Sequence, residues 1–193
     1  EKGKDAFADF ADHPQIMAFW WARFQQMALW FVKNEEQRRA SGITPALVEG
    51  DGKLSLFDGA FEVRGRADRI DRMADGSVAV IDYKTGTPPT KKAVEAGLEP
   101  QLALMAMIAE GGGFEGLAPA EVTALDYWAV GQRDDSKKIQ SHAKEAVALI
   151  ENAQEDLAKF VEAFAHPETP YEAEPKPNQA PRFNDYIHLS RMA

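Results

Sequence analysis

The 193-residue chain contains no cysteine, so no disulfide can support its fold and no cysteine-ligated cluster can form within it. This composition is typical of proteins from a reducing cytoplasm, and we expect the protein to be cytoplasmic. Long hydrophobic runs are also missing, because the most apolar stretch, around Trp20 and Trp21, is interrupted by Arg23 and two glutamines. We therefore expect no membrane-spanning helix and no membrane partner.

The chain also has fewer positively than negatively charged residues. Lysine and arginine number 22 against 31 aspartates and glutamates, which gives a formal net charge of −9. Proteins that hold nucleic acid through its phosphates usually carry a basic surface, so the charge balance argues against strong non-specific binding. Catalytic carboxylates contribute to such a deficit, and bound metal ions offset part of it.

The length and the 45% hydrophobic content predict one domain over residues 1–193, of α/β class. The aromatic residues of the first long helix indicate core packing, or alternatively docking against a further part of the parent protein. A proline-rich segment at 166–181 should be extended. Apolar periodicity predicts helices over 14–39, 90–96, 100–110 and 142–164, and strands over 46–49, 53–57, 61–72 and 122–130, with a turn at 49–52. We also expect Asp12 to cap the first helix and Pro14 to lie in its first turn.

The segment Gly65–Gly86 carries the most informative pattern, GRADRIDRMADGSVAVIDYKTG. It predicts two antiparallel strands joined at Ala74-Asp75-Gly76. Asp82 and Lys84 are two residues apart and share one face of the second strand. A three-residue turn centred on Asp75 would place Asp68 opposite Asp82 on that face. A two-residue turn would send Asp68 to the other face unless a bulge restored it.

Two carboxylates and an ammonium on one face are typical of a site that holds a divalent cation and a phosphodiester. Asp68 and Asp82 would bind the cation, the Tyr83 carbonyl would add an oxygen ligand, and Lys84 would orient water or stabilise developing charge. The simpler alternative is a solvated hairpin with one weak ion pair. Gln101, in the first turn of the helix after Pro100, favours the first interpretation because its amide can point towards the hairpin.

Charged residues around the hairpin have two interpretations each. We expect Asp71, three residues beyond Asp68, to face away from the site and to pair with an arginine. Glu49 would lie near the site if its strand borders the hairpin, and is otherwise solvated. Four arginines of the first strand can form either surface ion pairs or phosphate contacts: Arg64, Arg66, Arg69 and Arg72. Lys91 and Lys92 are either solvated or in contact with DNA.

Three segments, 65–71, 81–86 and 100–102, together resemble the PD-(D/E)xK nuclease superfamily in its RecB-like branch. The similarity is greatest to the C-terminal nuclease domains of AddB subunits of AddAB-type helicase–nucleases of the alphaproteobacterial type. Segments 20–24 and 183–191 share it. The resemblance implies a restriction-endonuclease-like fold, with a mixed, largely antiparallel sheet and flanking helices. It also implies that Asp68 and Asp82 are metal ligands, Lys84 the catalytic lysine and Gln101 a supporting residue.

By the same resemblance the cofactor is Mg²⁺, with Mn²⁺ possible, and the partners are DNA ends, an AddA-like helicase–nuclease subunit and the rest of an AddB-like chain. Relatives carry a ligand histidine on an upstream helix, whereas this chain offers only His13, at a helix start. We expect the true motif to precede Glu1 in a longer protein. Met105 replaces a tyrosine or glutamate of relatives, and the missing cysteines exclude the iron–sulphur cluster that some relatives have.

The expected activity is that of a metal-dependent DNA exonuclease domain in a helicase–nuclease that processes double-strand breaks for recombinational repair. The acidic chain should bind DNA weakly in isolation and gain affinity from its neighbours through tethering. Two alternatives are a catalytically silent nuclease-fold domain that binds DNA ends, and a free-standing RecB-like exonuclease.

Overall fold

The computed structural model describes residues 3, 6–8, 12–131 and 138–171. A five-stranded sheet lies between helices. In chain order the elements are α1 (Pro14–Ala40), β1 (Thr44–Leu56), a 3-10 turn (Phe57–Gly59), β2 (Phe61–Arg72), β3 (Val78–Lys84), α2 (Lys91–Glu95), α3 (Gln101–Glu110), β4 (Val122–Ala129), β5 (Ile139–Ser141) and α4 (Ala146–Phe164).

The strand order in the sheet is the chain order, β1-β2-β3-β4-β5. The β1–β2, β2–β3 and β4–β5 pairs are antiparallel, and only β3 and β4 run parallel among the strands of the described ranges. The parallel pair requires a crossover, which the segment containing α2 and α3 supplies. The mixed, largely antiparallel sheet with flanking helices confirms the predicted α/β fold class.

The two faces of the sheet carry different helices. Phe31 of α1 contacts the rings of Tyr83 and Trp128, so α1 covers the face to which those residues point. Residues of α3 cover the opposite face, where Val80 and Asp82 point. Seven of its ten residues are buried: Leu102, Ala103, Met105, Ala106, Met107, Ile108 and Ala109.

The predicted turn at 49–52 is wrong, because β1 continues through it as one strand. Pairing with β2 extends from Thr44↔Arg72 to Leu56↔Phe61, and these ladder hydrogen bonds hold the glycines extended. Gly52 is required for packing rather than for turning, since a Cβ there would collide with the ring of Phe114. Glycine next to acidic residues therefore imitates a turn signal in this strand.

Helix α1 begins at Pro14, as expected, but its N-cap is His13 and not Asp12. No side chain caps this end, and proline at the first helical position has no N–H that needs a partner. At the other end Ser41 is the C-cap, and Arg38 and Arg39 in the last turn suit the negative end of the helix dipole.

The last helix begins four residues later than predicted, at Ala146 rather than 142. The reason is that β5, which the sequence pattern did not reveal, extends along β4, and the N–H of His142 still donates to the Leu125 carbonyl. A boundary between two compact units falls within α4, after Asp156. No helix in the described ranges is long and apolar enough to cross a membrane.

Several expectations concern residues outside the described part. They concern the chain from 172 onwards, which contains most of the proline-rich segment 166–181 and all of the segment 183–191 that shares the family resemblance. The expectation of a single domain over 1–193 stays a prediction.

Candidate active site

The hairpin turn sets the register of the site. The N–H of Met73 donates to the Ser77 carbonyl at 2.8 Å, so Ala74, Asp75 and Gly76 form a three-residue connection. Asp75 stabilises it by accepting from both the backbone N–H and the hydroxyl of Ser77, and Gly76 adopts φ +90°, which favours glycine. The turn is therefore the first of the two predicted alternatives.

This register brings the two aspartates to the same place on the sheet. The ladder pairs Arg69 with Ile81 and continues towards Asp68 and Asp82, which are next along each strand. The Asp68 carboxylate accepts a hydrogen bond from the backbone N–H of Tyr83 at 2.8 Å. Asp68 therefore reaches β3 directly beside Asp82.

Asp82, Lys84 and Gln101 form a closed set of contacts. The Gln101 amide nitrogen donates to Asp82 Oδ1 at 2.8 Å, and its amide oxygen accepts from Lys84 Nζ at 3.2 Å. Lys84 Nζ lies 2.9 Å from Asp82 Oδ2. Its ammonium also stands 5.7 Å from the centre of the Tyr127 ring, which forms the floor beneath it. The predicted approach of Gln101 to the hairpin is thus observed.

The electrostatics of Asp82 are those of a buried carboxylate with a like charge nearby. Burial raises the pKa of Asp82 above its usual value, and the Asp68 charge raises it further. The Lys84 ammonium and the Gln101 hydrogen bond act in the opposite direction on that pKa. Asp82 Oδ2 is buried and has no hydrogen-bond partner among the described residues, although Lys84 is close.

A buried ion network supports the hairpin from the α1 face. Asp71 is fully buried and accepts hydrogen bonds from both Arg38, at 2.7 Å, and Arg69, at 2.9 Å. Arg69 also pairs with Glu35 at 2.6 Å and reaches the Tyr83 hydroxyl at 3.3 Å. Burial alone would lower the pKa of Arg69, but these partners raise it overall, so the guanidinium stays charged. The predicted arginine-pairing role of Asp71 agrees with these contacts.

The other arginines of β2 make local contacts. Arg64 pairs with Glu62, Arg66 with Glu49 at 3.1 Å, and Arg72 donates to the Gly76 carbonyl. Arg64 and Arg66 thus form ion pairs at the surface, which is the first of the two interpretations given for these arginines. Lys91 and Lys92 are exposed at the start of α2.

Glu49 does lie on the strand that borders the hairpin. The β1–β2 ladder pairs Val48 with Arg69 and Gly50 with Ala67, which places Glu49 across from Asp68. Its backbone has φ +53°, a conformation that costs free energy for a residue with a side chain. The Glu49 carboxylate, however, is exposed and engaged by Arg66.

The donor set suits a hard divalent cation. It consists of two carboxylates, one with a buried oxygen that the Lys84 ammonium approaches to 2.9 Å, and the nearby carbonyl of Tyr83. The repulsion between Asp68 and Asp82 that raises the pKa of Asp82 would be relieved by a cation held by both. No group of three His, Cys, Asp or Glu residues with metal-binding geometry occurs in the described ranges, so water would have to complete the coordination.

Sequence reasoning did not find the roles of Glu35, Arg38 and Tyr127. Glu35 and Arg38 look like the charged end of an amphipathic helix, and only their contacts with Arg69 and Asp71 reveal them as buried ion-pair partners. Tyr127 looks like an ordinary strand residue. Burial, together with the Asp82 charge, raises the pKa of Tyr127 to about 12, so its hydroxyl stays protonated beneath the site.

Comparison with known proteins shows the relationship that this geometry indicates. A family model described as the PD-(D/E)XK nuclease superfamily matches residues 3–180. The chain belongs to the PD-(D/E)XK nuclease superfamily. The family resemblance expected from segments 65–71, 81–86 and 100–102 is thereby confirmed at the level of the superfamily.

Similar curated proteins match shorter segments. An uncharacterised protein of Rickettsia conorii is 38% identical over 66 residues, which is 34% of this chain and 8% of that protein. One from Rickettsia typhi is 37% identical over 67 residues, 35% of this chain and 8% of the relative. An ATP-dependent helicase/deoxyribonuclease subunit of Streptococcus mutans is 35% identical over 89 residues, 36% of this chain and 8% of the relative. The matches thus span about a twelfth of the relatives' length.

The two departures from the superfamily pattern have structural counterparts. His13 is exposed at the N-cap of α1, ahead of the helix itself. Met105 is buried in α3, and the end of its side chain packs directly on Gly65, where a Cβ would collide with the methyl group and sulfur of Met105. The position where relatives carry a tyrosine or glutamate therefore serves packing in this PD-(D/E)XK domain.

Proposed function

We propose that this PD-(D/E)XK domain is a metal-dependent DNA exonuclease, and that it acts within a helicase–nuclease that processes double-strand breaks for recombinational repair. The observation that carries the proposal is the set of contacts of 2.8–3.2 Å that joins Asp82, Lys84 and Gln101. Asp68 lies beside this set, because its carboxylate accepts from the Tyr83 N–H at 2.8 Å. The partial similarity to a helicase/deoxyribonuclease subunit supports the AddB-like context, with an AddA-like subunit as partner.

In this proposal Asp68, Asp82 and the Tyr83 carbonyl would hold the cation, for which Mg²⁺ suits the oxygen donors and Mn²⁺ would substitute. When bound, the cation supplies Lewis-acid stabilisation of phosphate charge and makes a coordinated water more acidic. The Lys84 ammonium lies beside Asp82, and in this position it can donate a hydrogen bond to a phosphate oxygen or align the attacking water. Gln101 fixes both Asp82 and Lys84, so the amine is oriented before substrate arrives.

The decisive experiment replaces Lys84 with alanine in the intact protein and measures Mg²⁺-dependent release of nucleotides from DNA ends. We expect a loss of about 100-fold or more, the usual effect of removing one charge-stabilising donor. Lys144→Ala, which removes an exposed lysine just before α4, is the matched control and should leave cleavage unchanged. Undiminished cleavage by a folded Lys84→Ala protein would remove this residue from the mechanism.

A catalytically silent domain that binds DNA ends is the second candidate. It is favoured by the absence, within the described ranges, of a third His, Cys, Asp or Glu ligand near Asp68 and Asp82. Mn²⁺ titration of the intact protein separates the two, because the silent domain should neither bind the ion at these aspartates nor cleave DNA with it.

A further inference from the structure

Beyond the four site residues, the structure contains a groove of about 630 Å³ between α1 and the ends of β3 and β4. We call it the aromatic–basic groove. The side chains that matter for the argument are Phe24, Trp20, Trp30, Arg23, Lys33 and Lys138. Its rim includes Thr85, Val130 and Gly131, where the two parallel strands leave the sheet.

The aromatic rings of the groove are unusually accessible. Trp20 is 50% exposed, and the neighbouring Leu29 is 73% exposed. Trp30 is half-buried because it packs edge-on against Trp128 of the sheet. Within α1, no described side chain is fully buried. The helix thus leaves part of the Trp20 ring exposed to solvent, which costs free energy unless another molecule covers it.

The polar part of the groove is cationic. The guanidinium of Arg23 lies 5.4 Å from the centre of the Trp20 ring, and the Lys138 ammonium lies 4.9 Å from that of Trp30. Lys33 adds a third cation on the exposed side of α1. No aspartate or glutamate is among the described residues that line the groove, although the chain as a whole carries −9. The groove is therefore complementary to an anion that also offers flat apolar faces.

The groove lies on the sheet face that α1 covers, opposite the face of Asp82 and Lys84, and it reaches the carboxyl end of β3. Thr85 on its rim follows Lys84 directly, and Gly131 packs so closely on the Thr85 carbonyl that a Cβ would collide with it. Arg23 donates to the Gly131 carbonyl at 3.3 Å. A strand in the groove therefore reaches the backbone that follows Lys84, and it has to pass around this end of the sheet to meet the Lys84 side chain on the other face.

We propose that the aromatic–basic groove binds single-stranded DNA, stacking unpaired bases on Trp20 and contacting phosphates through Arg23 and Lys33, and so delivers the strand to the carboxyl end of β3. The proposal rests on the proposed function and deepens it, because it assigns the form of DNA that the site receives. Aromatic rings combined with cations are the usual means of holding unpaired nucleotides without sequence preference. A duplex keeps its bases stacked on one another and cannot offer them to Trp20.

The test uses the chain at low salt, in EDTA to prevent cleavage, with fluorescein-labelled oligothymidine as the probe. Trp20→Ala and Lys33→Glu should each raise the dissociation constant by about fivefold or more, which is the lower end of the effect of one base–aromatic stack. Trp20→Phe should retain most of the affinity. Oligothymidine should also quench tryptophan fluorescence in the unaltered chain, and less so in Trp20→Ala.

The matched controls lie outside the groove. Arg39→Glu reverses an exposed charge on the same helix, and Phe160→Ala removes a 57% exposed ring from α4; both should bind within about twofold of the unaltered chain. Equal binding by Trp20→Ala, Lys33→Glu and the controls would overturn the proposal. The proposal would also be overturned if binding of a blunt duplex depended on Trp20 as strongly as binding of oligothymidine does. It would likewise fail if Trp20→Ala changed only the association with another protein.

The outcome is independent of the catalytic proposal because binding is measured without metal. If Lys84→Ala abolishes cleavage but Trp20→Ala does not change oligothymidine binding, only the proposal for the groove is overturned. Groove-dependent binding with cleavage unaffected by Lys84→Ala would overturn the catalytic proposal alone.

Discussion

Gln101 makes two opposite contacts with one amide group: its nitrogen donates to Asp82 and its oxygen accepts from Lys84. Only an uncharged side chain with both a donor and an acceptor can join a carboxylate to an ammonium in this way. The amide therefore fixes the relative position of two charged groups that would otherwise be held by a single ion pair.

We predict that Gln101→Ala lowers the turnover of the proposed DNA cleavage by the intact protein by about 10- to 100-fold, since a donor and an acceptor that orient the site are lost. Michaelis constants for DNA should change much less than turnover. Gln25→Ala, at an exposed position of α1, is the matched control and should leave both parameters unchanged.

At this scale the sequence carries much of the information. The spacing of Asp82 and Lys84 places them on one face, and Pro100 directly before α3 puts Gln101 in its first turn. The hydrogen bond from the Tyr83 backbone to Asp68 follows from side-chain rotamers and local twist, which no spacing rule contains. The choice between the two turn types needed the structure as well, because Ala74-Asp75-Gly76 is compatible with both.

Among the elements, α1 and the hairpin are joined by charges in an apolar setting. Asp71 is fully buried between Arg38 of α1 and Arg69 of its own strand, and Glu35 completes the set. Arg69 in turn reaches the Tyr83 hydroxyl, so the network also restrains the strand that carries Asp82 and Lys84.

We predict that Asp71→Asn lowers the free energy of unfolding by about 3–5 kcal/mol, because it removes the buried anion that both Arg38 and Arg69 contact. Urea denaturation followed by circular dichroism measures this. Glu62→Gln breaks the exposed pair with Arg64 and should cost less than about 1 kcal/mol. If the two substitutions lowered the free energy of unfolding equally, the buried ion network would stabilise the protein no more than an exposed ion pair does.

Element boundaries show where local rules fail. The glycines at positions 50 and 52 favour a turn by composition, yet pairing along the whole of β2 keeps β1 extended. Strand β5 has only three residues and exists through its ladder with β4, so nothing in Ile139-Gln140-Ser141 alone predicts it. In both cases partners distant in sequence decide the conformation, and this is information that a periodicity argument does not contain.

For the molecule as a whole, His142 links stability to pH. It has no exposed surface, and Gln140 contacts its Nε2 at 3.1 Å. Burial lowers the pKa of His142, and the Lys91 charge lowers it further, while Glu145, Glu95 and Asp126 act in the opposite direction. The folded state therefore binds a proton at this ring less readily than the unfolded state.

It follows that the free energy of unfolding should decrease as the pH falls from about 7 through the unfolded pKa of about 6.5, by up to about 1.4 kcal/mol per pH unit. Urea denaturation at a series of pH values measures this slope. His142→Gln should flatten the slope, whereas His166→Gln, at an exposed position, should keep it. A slope unchanged in His142→Gln would assign the pH dependence to other groups.

The parallel pairing of β3 with β4 has a consequence for how this protein can diversify. Because these two strands point the same way, the connections that follow Lys84 and Ala129 both leave the sheet along one margin. That margin adjoins Lys84, whereas the helices and the ion network lie over the two faces of the sheet. Insertions after either strand could therefore reshape the surroundings of Lys84 without rebuilding the interior.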